Sequence, residues 1–146
     1  MIYPSGMATQ VIAVANQKGG VGKTTTSINL SACLANQGQR VLVLDLDPQA
    51  NATSGVGVEK REGGSAYPVL VGDALLTDQI VRTQYDNLSV IPSEVDLCGA
   101  EIDLPRMDDH LHQLQGALDS VKMANVYDVI LIDCPPSLGS LTLNAF

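Results

Sequence analysis

The sequence predicts an α/β fold: a parallel sheet with helices on both faces. Two observations predict it. Four short apolar runs, each ended by a turn former or a carboxylate, alternate with helical stretches or long connections. The chain is 45% hydrophobic but only 3% aromatic and has no Trp, so its core must be aliphatic, as in strands buried on both faces.

The first run is Gln-Val-Ile-Ala-Val-Ala over residues 10–15, ended by a glycine-rich turn. A helix over 23–37 follows, stopped by Gly38. Its Ile28, Ala32 and Ala35 form one stripe and Leu30, Cys33 and Leu34 a neighbouring one, which predicts burial on more than one side. The second run, over 40–44, leads into Asp45-Leu46-Asp47-Pro48. Residues 55–67, rich in glycine and charge, read as a mobile loop, and 69–81 as short helices. The third strand is 88–91, stopped by Pro92. A helix is expected over 108–124, with Leu111, Leu114, Leu118 and Val121 on one stripe, Asp108 and Asp109 at its positive end and Lys122 near its negative end. The fourth strand, 129–132, ends at Asp133 and two prolines. Crossovers between parallel strands should be right-handed. The 146 residues read as one domain, 1–146, with 1–7 as a loose leader.

The net charge of −8 argues against a broad nucleic-acid-binding surface on this chain. Three scattered cysteines with no CxxC pair fit reduced thiols in a cytosolic protein. No run is apolar and long enough to span a membrane, so no membrane partner is expected. His110 and His112 face different directions on a helix and suggest no zinc site.

The chemistry concentrates between the first strand and the first helix, at Lys18-Gly19-Gly20-Val21-Gly22-Lys23-Thr24-Thr25. A phosphate chain needs many donors in a small concave space. Backbone N–H groups of a glycine-rich turn supply them, and the following helix adds its positive end. Gly19, Gly20 and Gly22 let the backbone approach closely. Lys23 reaches the β- and γ-phosphates, and the Thr24 hydroxyl is placed to ligate Mg²⁺. ATP and Mg²⁺ are therefore the expected cofactors. The common motif has glycine where this chain has Gln17, and Lys18 is an additional lysine. Asp45, Asp47 and Asp133 all close apolar strands, where ligands of open parallel sheets bind. Alternation points Asp45 and Asp47 to one side and Leu46 to the other. Such carboxylates can hold the metal's water shell and orient an attacking water, which supports a hydrolase.

These segments resemble a known family. Residues 16–26, the run Asp45-Leu46-Asp47-Pro48-Gln49-Ala50-Asn51-Ala52-Thr53-Ser54-Gly55, and Asp133-Cys134-Pro135-Pro136-Ser137 are similar to those of the ParA/Soj-type partitioning ATPases, deviant Walker-motif proteins related to MinD. Val90-Ile91-Pro92-Ser93, then residues 96–101 and 141–145, are similar too. The resemblance implies that Lys18 crosses an ATP-bound sandwich dimer to the partner's phosphates, and that Asp47 positions the hydrolytic water. It assigns Asp45 and Asp133 to the outer metal shell, and residues 45–55 and 133–138 to two switch segments. It further implies slow ATP hydrolysis in chromosome or plasmid segregation, a ParB-type partner, non-specific DNA binding and a cytoplasmic, nucleoid-associated location. Family members continue for about as much chain again, carrying further strands, much of the adenine pocket and the basic DNA-binding residues. The resemblance thus implies an N-terminal portion whose first strand is left as a bare edge. Two alternatives stand beside it: a non-catalytic nucleotide-binding interaction module, and a MinD-like ATPase. Cys98 and Cys134 raise a third thought, an iron–sulfur protein, against which Cys134 reads as a small buried residue.

Overall fold

In the computed structural model, residues 8–146 are described, so the expected leader at 1–7 lies outside the described residues. Five strands form one sheet in the order β1-β5-β2-β4-β3. They are β1 (Gln10–Val14), β2 (Val41–Asp45), β3 (Val81–Arg82), β4 (Leu88–Ile91) and β5 (Val129–Asp133). The pairs β1–β5, β5–β2 and β2–β4 are parallel, and β3 is antiparallel to β4. That short antiparallel pair was not expected from the sequence. Only residues 83–87 separate β3 from β4, too few for a crossover, so the chain turns back as a hairpin. Asn87 takes a positive φ of 62° there, and the Thr83 hydroxyl donates to Leu88 O.

Every residue of β2 and β5 is buried, which explains why both read as unbroken apolar runs. Alternation divides them between two cores. Leu42, Leu44, Ile130 and Ile132 pack on one face with Leu97, Leu114, Leu118 and Leu141. Val41, Val43, Val129 and Leu131 pack on the other with Ala35 of the first helix, α1 (Lys23–Asn36). Leu46 joins the first face, so Asp45 and Asp47 fall on the side opposite to it. β1 lies at the sheet edge, with Val11 and Ile12 about two-fifths exposed, as the resemblance implies.

The helix after β1 ends as expected: Gly38 adopts φ 85° and its N–H bonds Ala35 O. Its burial differs from expectation. The buried line is Ser27, Ser31 and Ala35, while Leu30 and Cys33 are exposed. Small side chains at i, i+4 and i+8 face the sheet, Ile28 and Leu34 beside them pack partly buried against the same core, and Leu30 and Cys33 remain outside.

Four further helices follow in chain order: α2 (Asn51–Gly55), α3 (Tyr67–Leu70), α4 (Leu97–Asp103) and α5 (Gln113–Ala124), and α6 (Ser140–Asn144) closes the chain's secondary structure. Single 3₁₀ turns occupy Leu76–Gln79 and Leu104–Arg106. The sequence reading places no helix at α2, α4 or α6. The loop expected over 55–67 is partly built in: Ser65 and Ala66 are fully buried, and Ser65 Oγ donates to Asp96 Oδ1 at 2.6 Å. The helix expected from 108 starts instead at Gln113. Asp109 takes a left-handed φ of 56° and pairs with His112 Nδ1, so the two aspartates form the turn before the helix. Leu111 therefore leaves the stripe and is exposed, while Leu114, Leu118 and Val121 are buried as expected. No described helix is long and apolar enough to cross a membrane.

Candidate functional site

The turn between β1 and α1 is held open from within. Lys18 N–H donates to Asn16 Oδ1 at 2.9 Å, and Lys23 Nζ donates to Lys18 O at 3.3 Å. Gly20 and Gly22 have φ of 69° and 90°, which exclude most side chains at little cost to glycine. A Cβ at either would meet nothing within 4 Å, so the space above the loop is free. No side chain caps the N-terminus of α1, whose first N–H groups thus keep their donor capacity for an anion.

Gly19 to Thr25 all line one open cleft of about 400 Å³, together with Asp47, Gln49, Asn51 and Pro136. Every residue expected to cradle phosphate is therefore in one place, with Asp47 facing it. Lys18 is exposed and does not line the cleft.

The metal-shell residues divide. Thr24 Oγ1 donates to Asp133 Oδ2 at 2.8 Å, and Ser27 Oγ donates to Asp133 Oδ1 at 2.7 Å. The Thr24 hydroxyl has thus committed its proton and keeps its oxygen lone pairs for a hard cation. Burial pushes the Asp133 carboxyl up, while the Ser27 and Thr24 hydroxyls pull it back, Asp47 raises it and Lys23 lowers it. Asp45 is the register partner of Asp133 on the neighbouring strand but does not reach Thr24. Its Oδ2 accepts Thr53 N–H (2.8 Å) and Thr53 Oγ1 (2.7 Å), its Oδ1 accepts Asp47 N–H (3.1 Å), and it does not line the cleft. Asp133 thus stands in hydrogen-bond contact with Thr24, whereas Asp45 is bonded to Thr53 and the Asp47 N–H.

Burial pushes Asp45 up to about 6 against the lowering hydrogen bonds of Thr53. A carboxyl raised on folding favours the folded state at pH below its unfolded pKa, and that favour is lost as pH rises through about 6. The stability difference between wild type and Asp45→Asn should therefore move in favour of the variant by about 1.5 kcal/mol from about pH 5 to about pH 7.5. Denaturant unfolding without Mg²⁺ at several pH values measures it, and a flat difference would contradict it.

Cys134 is buried, and burial pushes its thiol up to about 12, so it stays a protonated, inert side chain. Among the described residues no group of three His, Cys, Asp or Glu could hold a metal ion. The sequence reading gives no role to Ser27, and it places Gln49, Asn51, Thr53 and Ser93 only within segments that resemble the family, with no part of their own. Ser27 has a local signal of its own, one helical turn beyond Lys23 and Thr24. The hydroxyl of Ser93 donates to Asp47 O at 2.5 Å, and its N–H to Thr53 Oγ1 at 2.9 Å.

Known proteins share this architecture. A family model described as an AAA domain matches residues 9–146. Over 137 residues the chain is 55% identical to the sporulation initiation inhibitor protein Soj of Bacillus subtilis, covering 93% of this chain and 53% of that protein. It is 47% identical to the chromosome partitioning protein ParA of Caulobacter vibrioides, with 93% and 51% covered. Cobyrinic acid a,c-diamide synthase of Mycobacterium smegmatis, solved with bound ADP and magnesium, superposes with a TM-score of 0.88 at 44% identity, covering 94% of this chain and 55% of that one. A plasmid partition protein from Borrelia burgdorferi gives 0.82 at 30% identity, covering 94% and 61%. The chain spans about half the length of the curated relatives it matches. With its glycine loop, helix N-terminus and Asp47 in one cleft, the chain belongs to the AAA domain family and is similar to the Soj and ParA partitioning proteins over the part it covers.

Proposed function

We propose that this chain binds Mg·ATP in the cleft above the glycine loop and is the nucleotide-binding part of a partitioning ATPase that segregates a chromosome or plasmid. The observation that carries this is the Thr24–Asp133–Ser27 cluster at the mouth of the loop. A hydroxyl whose proton is held by a buried carboxylate, beside a lysine and a helix N-terminus, suits a hard cation next to phosphate. Solved relatives carrying ADP or an ATP analogue with magnesium support the same reading.

Each residue has a part. The backbone of Gly19 to Gly22 and the first N–H groups of α1 would hold the phosphate oxygens, with Thr25 on the same turn. Lys23 would leave Lys18 O and neutralise the terminal phosphates. Thr24 would ligate Mg²⁺ directly, and Asp133 would orient its water shell. When bound, Mg²⁺ spreads the negative charge of the phosphates and so eases attack on the terminal one. Asp47, lining the cleft, would orient the attacking water. Asp45 would serve that step at one remove, by holding Thr53 and the Asp47 N–H.

Lys18, exposed at the rim, is free to reach a second copy, which fits an ATP-dependent sandwich dimer with the signature lysine acting across it. Turnover in such a protein is slow, its partner is a ParB-type centromere-binding protein, and it works in the cytoplasm on the nucleoid. DNA contact falls to basic residues outside this strongly acidic chain. Lys18→Ala should leave the affinity for an ATP analogue within about twofold, since its side chain is not in the cleft, yet abolish ATP-dependent self-association. Analytical ultracentrifugation with and without Mg·ATP tests this, and an unchanged ATP-dependent mass would sink the sandwich assignment.

A further inference from the structure

We infer that Ser93 and Glu101, neither of which lines the cleft, are positioning residues: the segment after β4 clasps both nucleotide-facing loops and fixes them relative to each other. The inference rests on the ATPase reading and adds residues to it.

One clasp is on the loop after β2. Ser93 is fully buried, and its hydroxyl donates to Asp47 O, which also accepts Ala50 N–H at 2.8 Å. Its N–H donates to Thr53 Oγ1, whose own proton goes to Asp45. Asp45 Oδ1 accepts Asp47 N–H. The four residues close a ring of hydrogen bonds around the Asp47 backbone. The Asp47 side chain stays outside the ring, with Oδ1 accepting Gln49 N–H at 2.9 Å. A ring that grips the main chain on both sides of one carboxylate, in a buried place, sets where that carboxylate stands.

The other clasp is on the loop after β5. Glu101, on α4, accepts Ser140 N–H on Oε2 at 2.7 Å and Leu141 N–H on Oε1 at 3.2 Å. It caps α6 from another element, with its negative charge at the positive helix end. That fixes the far end of the loop that begins at Asp133 and carries Pro136 into the cleft. Gly139 has an extended backbone that any residue adopts, yet a Cβ there would overlap the Glu101 carboxylate. Its lack of a side chain is what admits this carboxylate.

Both contacts come from one short stretch, residues 93–101, packed against the core through Leu97 and Ala100. The loop holding Asp47 and the loop following Asp133 are thereby tied to one rigid body. Rearrangement of either loop with bound nucleotide has to work against it.

Backbone amide exchange of the full chain, without nucleotide, tests the two clasps directly. Ser93→Ala should speed exchange at Asp47, Gln49 and Ala50 by about tenfold and leave Ser140 and Leu141 alone. Glu101→Gln and Gly139→Ala should each speed Ser140 and Leu141, and the double variant should exceed neither single one, because both remove the same contact. Ser93→Cys, which keeps a weak donor, should lie between alanine and wild type. Turnover in each variant should fall about tenfold while the affinity for a fluorescent ATP analogue stays within about twofold. Wild-type exchange rates in the variants would overturn the inference, as would affinity falling in step with turnover. If the wild-type chain binds no Mg·ATP, the ATPase reading fails on its own account, and the exchange rates still decide whether these residues hold the loops.

Discussion

Lys23→Ala should weaken the binding of a fluorescent ATP analogue by about 100-fold, the equivalent of about 3 kcal/mol. The lysine lines the cleft, and its ammonium rests on Lys18 O at a long 3.3 Å, a bond it can leave at little cost. Two further cationic sources surround the phosphate position, the loop amides and the helix end, but both are partial charges. The ammonium is the one full positive charge in the lining, so removing it takes away the largest electrostatic attraction. Unfolding cannot mimic the result. Lys23 is the first residue of α1, where alanine is at least as good a helix former, and its side chain is not in either core. Fluorescence titration against wild type, with thermal melts of both, reads the effect. A variant that binds within about fivefold of wild type would remove Lys23 from the phosphate site.

Why the glycine loop was legible in the sequence, and its supports were not, follows from range. Gly20 and Gly22 act through their own backbone angles and Lys23 through the helix it opens, so four consecutive residues carry the information. The strand ends were legible for a similar reason: β2 and β5 are buried on both faces, so the first charged residue after each apolar run marks the sheet edge. Asp45 shows the limit of that logic. Its placement at the edge was right, but which oxygen partners it meets depends on Thr53, eight residues on, and on a turn whose Ala50 takes a left-handed φ of 56°. Ser93 reaches Asp47 across 46 residues, and Glu101 reaches Ser140 across 39. A serine after a strand or a glutamate on a helix gives no hint of such a partner. Burial of α1 on a serine stripe was hidden as well, since small polar residues add nothing to an apolar pattern.

Asp47→Asn should lower ATP turnover by about 10² to 10⁴-fold while leaving nucleotide affinity unchanged or slightly improved. The choice of asparagine matters. Asp47 Oδ1 accepts Gln49 N–H, an Asx turn that an amide oxygen preserves, whereas alanine would lose it together with the charge. The Asp47 backbone is held by Asp45 and Ser93 whatever the side chain is. Asparagine therefore changes the charge and basicity at the cleft with the loop kept in place. A carboxylate facing a polyphosphate repels it, and it raises the neighbouring Asp133 as well. Its presence in the cleft costs binding, and the proposed action on the attacking water is a role that would offset this cost. Loss of turnover without loss of affinity would be the signature of that role. Asp47→Ala should show the same kinetic loss with, in addition, a lower melting temperature, because the turn before α2 loses its side-chain acceptor. Equal turnover in Asp47→Asn and wild type would transfer the water-orienting role to another group. Gln49 and Asn51, the remaining polar side chains that this loop places in the same cleft, would then be the ones to replace.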